Sequence, residues 1–302
     1  MYFVECCTGV TEPAPPLPPG KDIFMNFHRI NGWLSLLAAA VTGAFLIRSW
    51  RDLWILPAAA LAAYVALFLL MWLWLIALGL CVSMKKTYEK PSPFYSFWLN
   101  TGYFAICALA RVRIRAEGEE QLPDQPFLMV SNHRSNLDNM IESLVLRHHR
   151  LTYISKQSNF RIPLARRYMV RTLHLSIDRE DVKQSFEIFM RAAAMIRDGV
   201  SSVGVYPEGT RSKTGALGEF HDGCFLIAQK AKCPLVVLTV TGTQNIHKNF
   251  PWRHTDVHVR VVRVFTPEEL AHTRCAAIST TVHTLMQESI DTPEDKTASH
   301  RV

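Results

Sequence analysis

Long apolar stretches dominate the first third of the chain. Residues 30–47 carry no charge, and they reach the length of about 18 residues at which a helix can span a lipid bilayer. Residues 53–84 are also uncharged, which is longer than the roughly 20 residues that one span needs. The two stretches predict a pair of membrane-associated helices. The pattern leaves open whether they cross the bilayer as a hairpin or lie in one leaflet.

A third apolar stretch, residues 94–110, differs from the first two. It contains Asn100 and Tyr103, and Arg111 follows it directly. Polar side chains of this kind favour an interfacial or docking helix over a third span. Residues 30–110 are therefore predicted to be membrane-associated helices, and the Pro-rich residues 1–29 before them a flexible leader.

From Val112 onward the pattern changes to short apolar runs that alternate with amphipathic helical periods. Such alternation of strands and helices is typical of a largely parallel sheet. We therefore expect an α/β domain over residues 111–290, with a mixed, largely parallel central sheet flanked by helices, and a polar tail over 291–302. The predicted strands are 112–116, 127–130, 151–155, 174–177, 202–206, 235–241 and 257–264.

Two helices of this domain have clear signals. Thr266, Pro267 and Glu269 predict the N-cap, first position and capping-box partner of the final helix. The helical spacing of apolar residues over 181–198 predicts a helix with one buried stripe. The residues of that stripe are Phe186, Phe189, Met190, Ala193 and Ile196.

The composition indicates which kinds of molecule the protein binds. The chain has 33 Lys and Arg against 26 Asp and Glu, a formal charge of +7 that would suit a nucleic acid, an anionic membrane or an acidic substrate. The apolar residues before position 111 favour the membrane over nucleic acid. Lys85, Lys86 and Lys90 then favour the cytoplasmic side for the rest of the chain. The seven cysteines lack metal-ligand spacing, so free thiols are expected.

Residues 126–146 carry the first candidate chemistry, because an apolar strand leads there into a polar turn and an apolar helix. His133 falls in the turn and Asp138 in the first helical turn, with Ser135 as the predicted N-cap. The carboxylate can fold back onto one imidazole nitrogen, which leaves the other nitrogen outward as a general base. One such pair is a weak signal, since Asp138 would also serve as a helix cap.

A second polar turn follows another predicted strand, at residues 206–212, YPEGTRS. Gly209 allows close backbone approach, and the Arg211 guanidinium can pair with phosphate oxygens through two parallel hydrogen bonds. An ordinary turn with a surface ion pair is the alternative interpretation.

Four motifs in order resemble those of the glycerolipid acyltransferase family. They are NHRSNLD at 132–138, SIDRE at 176–180, YPEGTRS at 206–212 and CPLVVLTV at 233–240. The resemblance covers about residues 112–290, and a membrane-associated helical segment ahead of the domain also fits that family. It implies an O-acyltransferase of phospholipid biosynthesis. Such an enzyme transfers a fatty acyl group from acyl-CoA or acyl carrier protein to the sn-2 hydroxyl of 1-acylglycerol 3-phosphate, which gives phosphatidic acid.

The resemblance also implies roles for individual residues. His133 would be the general base, and Asp138 would orient it; the acceptor alcohol is itself the nucleophile, so no triad is needed. The expected acceptor-binding residues are Lys156, Arg179, Glu208, Gly209, Thr210 and Arg211, with the arginines on the phosphate and Glu208 orienting Arg211 or a hydroxyl. Neither a cofactor nor a metal is expected, because no second ligand cluster accompanies His133 and Asp138.

One departure keeps the acceptor open. Where the family commonly has basic residues, this chain has His221 and Asp222. Another lysophospholipid or a lyso-aminolipid is therefore an alternative acceptor, and a non-catalytic lipid-binding protein of the same fold is an alternative function. The expected partners are membrane lipids, a lysophospholipid and the thioester, without nucleic acid. The expected location is the inner or cytoplasmic membrane, with the catalytic domain on its cytoplasmic face.

Overall fold

The computed structural model of the protein describes residues 23–212 and 216–291. Most of the predicted leader and the predicted tail from residue 292 lie outside the described residues. The helices are α1 (Ile23–Leu46), α2 (Ile55–Leu80), α3 (Pro93–Leu109), α4 (Asp138–Val145), α5 (Pro163–Arg171), α6 (Val182–Arg197), α7 (Leu226–Ala231), α8 (Ile246–Asn249), α9 (Pro267–Ala271) and α10 (Cys275–Asp291). The strands are β1 (Val112–Glu117), β2 (Leu128–Ser131), β3 (Leu151–Lys156), β4 (Leu175–Ile177), β5 (Ser202–Val205), β6 (Leu235–Thr241) and β7 (Thr255–Phe265).

Helices α1 and α2 are each long and apolar enough to cross a membrane. Helix α1 begins at Ile23, inside the range predicted as leader, because no proline occurs after residue 19 to stop a helix there. Pro57 lies in the first turn of α2, where its missing N–H breaks no helical hydrogen bond. The chain divides into two compact units within α2, after Leu67.

Helix α3 packs on the domain that follows it. Its side chains Tyr103 and Cys107 are buried together with Ile141 and Leu144 of α4. Burial of an apolar face against a neighbouring element is what stabilises such a helix, since its own propensity contributes little.

The described strands form one seven-stranded sheet in the order β1-β7-β6-β2-β5-β3-β4. Among these strands only β6 and β7 pair antiparallel, and the other neighbours are parallel. The predicted mixed, largely parallel sheet is therefore confirmed, with β1 at its edge as expected. Strands β2 and β5 are buried at every position, as parallel strands covered on both faces must be.

Helices cover both faces of the sheet. On one face Val130, Val203 and Leu235 pack with Ile196 of α6 and Phe225. On the other face lie the side chains of two further clusters, which include Tyr103 of α3 and Ile141 of α4, and Phe127, Met129, Tyr153 and Leu238. This two-sided burial holds the strand ends in fixed positions.

The predicted stripe on α6 is partly wrong. Phe186 is 51% exposed, whereas Ala192, Ala193, Met195 and Ile196 are buried. The C-terminal half of α6 packs on the sheet, and Phe186 in the other half borders an apolar groove. Periodicity located the helix but not which half of it packs on the sheet.

The predicted final helix is divided into α9 and α10. The Thr266 capping box forms as predicted, with Glu269 bonded to the Thr266 N–H. The chain then breaks after α9, because the Gln229 side chain donates hydrogen bonds to the carbonyls of Leu270 and Thr273, at 2.8 and 2.6 Å. A long-range contact therefore stabilises the break.

The parallel strands β2 to β6 all end at the same edge of the sheet, which we term the carboxyl edge. His133 follows β2, Lys156 ends β3, Arg179 follows β4, and residues 207–211 follow β5. Loops at the carboxyl ends of parallel strands commonly form the ligand site of α/β proteins. The topology thus collects the candidate residues although they are far apart in sequence.

Candidate active site

The Asp138 side chain is fully buried at the start of α4. Its Oδ2 accepts hydrogen bonds from His133 Nδ1 at 2.9 Å, from the Arg134 N–H at 2.6 Å and from the Ser135 N–H at 2.7 Å. Three donors on one oxygen fix the position and orientation of the carboxylate. The predicted return of Asp138 onto the imidazole is therefore present in the structure.

Ser135 does not act as the predicted helix N-cap. Helix α4 begins at Asp138, its N-cap position is Leu137, and no side chain caps it. The Ser135 Oγ instead accepts a 3.3 Å hydrogen bond from the Leu137 N–H. Because Asp138 binds the amides of the preceding turn, residues 134–137 form that turn rather than the first helical turn.

His133 is held on its backbone and on its ring. Its N–H donates to Glu208 Oε1 at 2.7 Å, and its carbonyl accepts from the Ser212 N–H at 2.9 Å. Its imidazole stacks on the Tyr206 ring, with centroids 4.1 Å apart and planes 11° apart. Since Asp138 occupies Nδ1, Nε2 is the nitrogen left for the cleft, and the side chain is 18% exposed.

Asn132 ties the same turn to the neighbouring strand. Its Nδ2 donates to the Val240 carbonyl at 2.9 Å, and its Oδ1 accepts from the Val240 N–H at 2.7 Å. The side chain is buried, so these bonds replace the water that it loses. Asn132 was not predicted as a site residue, although an asparagine directly after a buried strand was a usable signal.

Glu208 binds backbone amides rather than Arg211, one of the two partners expected for it. Its Oε1 accepts from the His133 N–H and its Oε2 from the Gly218 N–H at 2.9 Å, so backbone amides engage both oxygens of this buried carboxylate. Glu208 therefore joins the turn after β2 to the loop after β5. The next residue, Gly209, has φ +66°, and a Cβ there would lie 3.0 Å from the His221 ring, so glycine is required.

A polar cleft of about 300 Å³ opens in front of His133. The cations Lys156, Arg179 and Arg211 line it, together with Gly209 and Thr210. Asp138 and Glu208 lie behind the wall, since both are buried. The structure thus brings all eight candidate residues together, six at the cleft and two beneath it. Three cations in one cleft suit a phosphate group.

An apolar groove of about 330 Å³ adjoins the polar cleft. The two share Ile154, Arg179, Tyr206 and Gly209 in their walls. The groove is otherwise lined largely by apolar side chains, among them Ile177, Val182, Phe186 and Phe189. A charged cleft beside an apolar groove is suited to an amphipathic ligand.

A third buried carboxyl group, Glu142, lies one helical turn after Asp138. Its Oε2 accepts hydrogen bonds from the hydroxyls of Tyr206, at 2.7 Å, and Tyr153, at 3.0 Å. Burial, followed by the nearby charge of Asp138, raises the pKa of Glu142 to about 8. The Glu142 carboxyl is therefore mainly protonated at neutral pH.

Glu142 also supports the Tyr206 ring on which His133 stacks. Glu142 was not predicted as a site residue. The available signal was an acidic residue next to the apolar Ile141 and four residues after Asp138, on the same side of the helix. Across the described ranges 23–212 and 216–291, no group of three or more His, Cys, Asp or Glu side chains is arranged to hold a metal ion.

Residues 113–241 match the family model described as Acyltransferase. The chain is 29% identical over 232 residues to a 1-acyl-sn-glycerol-3-phosphate acyltransferase of Chlamydomonas reinhardtii, a match that covers 73% of this chain and 69% of that protein. It is 37% identical over 136 residues to a chloroplastic enzyme of the same name from Arabidopsis thaliana, covering 44% of this chain but only 37% of that protein.

The fold is similar to the crystal structure of the 1-acyl-sn-glycerophosphate acyltransferase PlsC from Thermotoga maritima. The TM-score is 0.51 at 18% sequence identity, and the match covers 67% of this chain and 88% of that one. At this identity the likeness establishes the fold alone. It confirms the predicted fold class, and the match to the Acyltransferase model over residues 113–241 supports the resemblance that the motifs indicated.

We predict that Glu142→Gln makes stability less dependent on pH. The folded-state pKa of about 8 lies above the ordinary value of 4.5, so the folded protein binds this proton more tightly than the unfolded chain does. Between those two pH values the contribution of Glu142 to the free energy of unfolding should therefore fall as the pH rises. Glutamine has no proton to lose, so the melting temperature of the variant should rise relative to wild type as pH increases over that range. A difference that stays constant with pH would contradict the raised pKa.

Proposed function

We propose that this chain, whose residues 113–241 match the Acyltransferase family model, transfers a fatty acyl group from a thioester to the sn-2 hydroxyl of 1-acylglycerol 3-phosphate. The proposed donor is acyl-CoA or acyl carrier protein, and the product is phosphatidic acid. The observation that carries the proposal is the 2.9 Å bond between His133 Nδ1 and the buried Asp138, at a cleft lined by three cations.

The dyad accounts for the chemistry without a protein nucleophile. His133 Nε2 takes the proton of the acceptor hydroxyl while the oxygen attacks the thioester carbonyl. As the tetrahedral intermediate collapses, the carbon–sulfur bond breaks and the imidazolium returns the proton to the leaving thiolate. Asp138 keeps the proton on Nδ1 and stabilises the imidazolium during the step. The products are an ester and a free thiol.

The two neighbouring cavities match the two halves of the proposed acceptor. Lys156, Arg179 and Arg211 would bind its phosphate in the polar cleft, and the adjoining groove would hold a fatty chain. Because both cavities are bordered by Tyr206, on which His133 stacks, an acceptor that occupies them has its hydroxyl near the dyad.

Membrane location is part of the same proposal. Helices α1 and α2 indicate membrane association, and the lysines after α2 support a domain on the cytoplasmic face of the inner or cytoplasmic membrane. A lysolipid acceptor would then reach the enzyme from the bilayer in which it resides.

A lysophospholipid with a larger head group is the second candidate acceptor. His221 lies on the wall of the apolar groove beside Gly209, in the place where family members commonly have a cation. One cation fewer there would favour a less highly charged head group.

We predict that His133→Ala lowers the turnover number by roughly 10²–10⁴-fold, the usual loss for a general base. The assay is acyl transfer from acyl-CoA to 1-acylglycerol 3-phosphate by detergent-solubilised protein. His272→Ala, at an exposed histidine after α9, is the matched control and should leave the rate unchanged. Full activity of His133→Ala would contradict the proposed role of His133 as general base.

We also predict that lysophosphatidic acid is preferred over lysophosphatidylcholine and lysophosphatidylethanolamine of the same chain length. Arg211→Leu should lower kcat/KM for lysophosphatidic acid by about 10–100-fold, the loss of one charged hydrogen-bonding partner. The loss should be smaller for the zwitterionic acceptors, whose phosphate carries one charge fewer. Arg197→Leu, at the opposite edge of the sheet, is the control. Preference for a larger head group would overturn the acceptor assignment and leave the dyad in place.

A further inference from the structure

An exposed loop between β6 and β7 combines aromatic and basic side chains. Trp252 is 86% exposed and Phe250 52% exposed, and Lys248 and Arg253 beside them are also exposed. The end of α3 adjoins this loop, because the Arg111 carbonyl accepts a hydrogen bond from the Thr255 N–H. We define the tip as a set of exposed residues, namely Leu109, Arg111, Lys248, Phe250, Pro251, Trp252 and Arg253.

The tip lies at the carboxyl edge of the sheet, where the active-site cleft opens. Strand β6 runs parallel to β2, so residues 242–254 leave the sheet at the same edge as His133. Strands β7 and β1 run the opposite way and therefore begin at that edge. With strands about 4.8 Å apart, β7 begins roughly 10 Å across the sheet from β2.

The second half of α2 is oriented toward the same edge. The Tyr95 hydroxyl donates to the Leu78 carbonyl, and Leu75 lies against Gly102, so residues 68–80 run antiparallel to α3. Since α3 ends at the carboxyl edge, the N-terminal end of this stretch lies toward it. Leu69, Leu70 and Leu73 are exposed on this part of α2. The exposed leucines of α2 and the aromatic residues of the tip therefore lie on the same side of the domain.

The net positive charge of the tip indicates an anionic partner. Residues 246–254 contain Lys248 and Arg253 and no acidic residue. The next acid, Asp256, lies 3.8 Å from Arg115 in an ion pair. Exposed tryptophan and phenylalanine flanked by cations are typical of segments that lie at head-group level in anionic membranes, where each cation adds attraction to lipid phosphates.

We propose that the tip is a membrane-docking surface that inserts Phe250 and Trp252 among the head groups of an anionic bilayer. Arg111, Lys248 and Arg253 contact lipid phosphates, and the docked tip turns the carboxyl edge toward the membrane. In this orientation a lysolipid can reach His133 without leaving the bilayer surface. This consequence rests on the function proposed above.

Fluorescence of Trp252 tests the docking directly and does not depend on activity. The full chain is reconstituted into vesicles of equal parts phosphatidylglycerol and phosphatidylcholine, with and without brominated acyl chains, and compared with Trp252→Phe. The difference between the wild-type and variant spectra is the emission of Trp252. We expect brominated acyl chains to quench this emission and iodide in the water to leave it unquenched. A lost component that iodide quenches and bromine does not would place Trp252 in water or in a protein contact, and would overturn the proposal.

Charge reversal supplies the second test. Lys248→Glu combined with Arg253→Glu should lower acyl transfer in the mixed vesicles by about fivefold for each cation, and should leave the rate in detergent micelles unchanged. Arg197→Glu combined with Lys230→Glu, at the opposite edge, is the matched control and should behave as wild type in both. An equal loss in vesicles and micelles would contradict docking. If no acyl transfer occurs while Trp252 is quenched by bromine, the proposed function fails and the docking surface stands.

Discussion

The Asp138 carboxylate is the group on which the candidate site depends. One buried oxygen accepts the imidazole N–H of His133 and two backbone amides, so the same bonds shape the turn and orient the ring. They also explain why α4 begins only at Asp138. Burial, and after it the charge of Asp138, raises the pKa of the neighbouring Glu142.

The surrounding structure holds this group through strands that are distant in sequence. Glu208 joins the His133 turn to the loop after β5, and Asn132 joins it to β6. Tyr206 supports the imidazole from below and is itself held by Glu142. The cations that line the cleft come from the ends of three further strands. The parallel sheet therefore sets the spacing between His133 and the phosphate site that we propose.

The parts that depend on local pattern were predictable from the sequence. Strand β6, the edge position of β1, the Thr266 capping box and the contact of His133 with Asp138 all depend on neighbouring residues or on simple periodicity. The other features depend on contacts between distant segments, which no local period encodes. These are the partners of Glu208, the division of the last helix by Gln229, the exposure of Phe186, and the raised pKa of Glu142.

The most direct test of the central claim is the steady-state kinetics of Asp138→Asn in acyl transfer to 1-acylglycerol 3-phosphate. Asparagine keeps the size of the side chain but removes the charge that orients and stabilises His133. The account predicts a fall in kcat on the order of 10²–10⁴-fold with KM nearly unchanged, because Asp138 is buried beneath the cleft and does not line it. A variant that keeps its turnover, or one whose loss falls mainly in KM, would contradict the account.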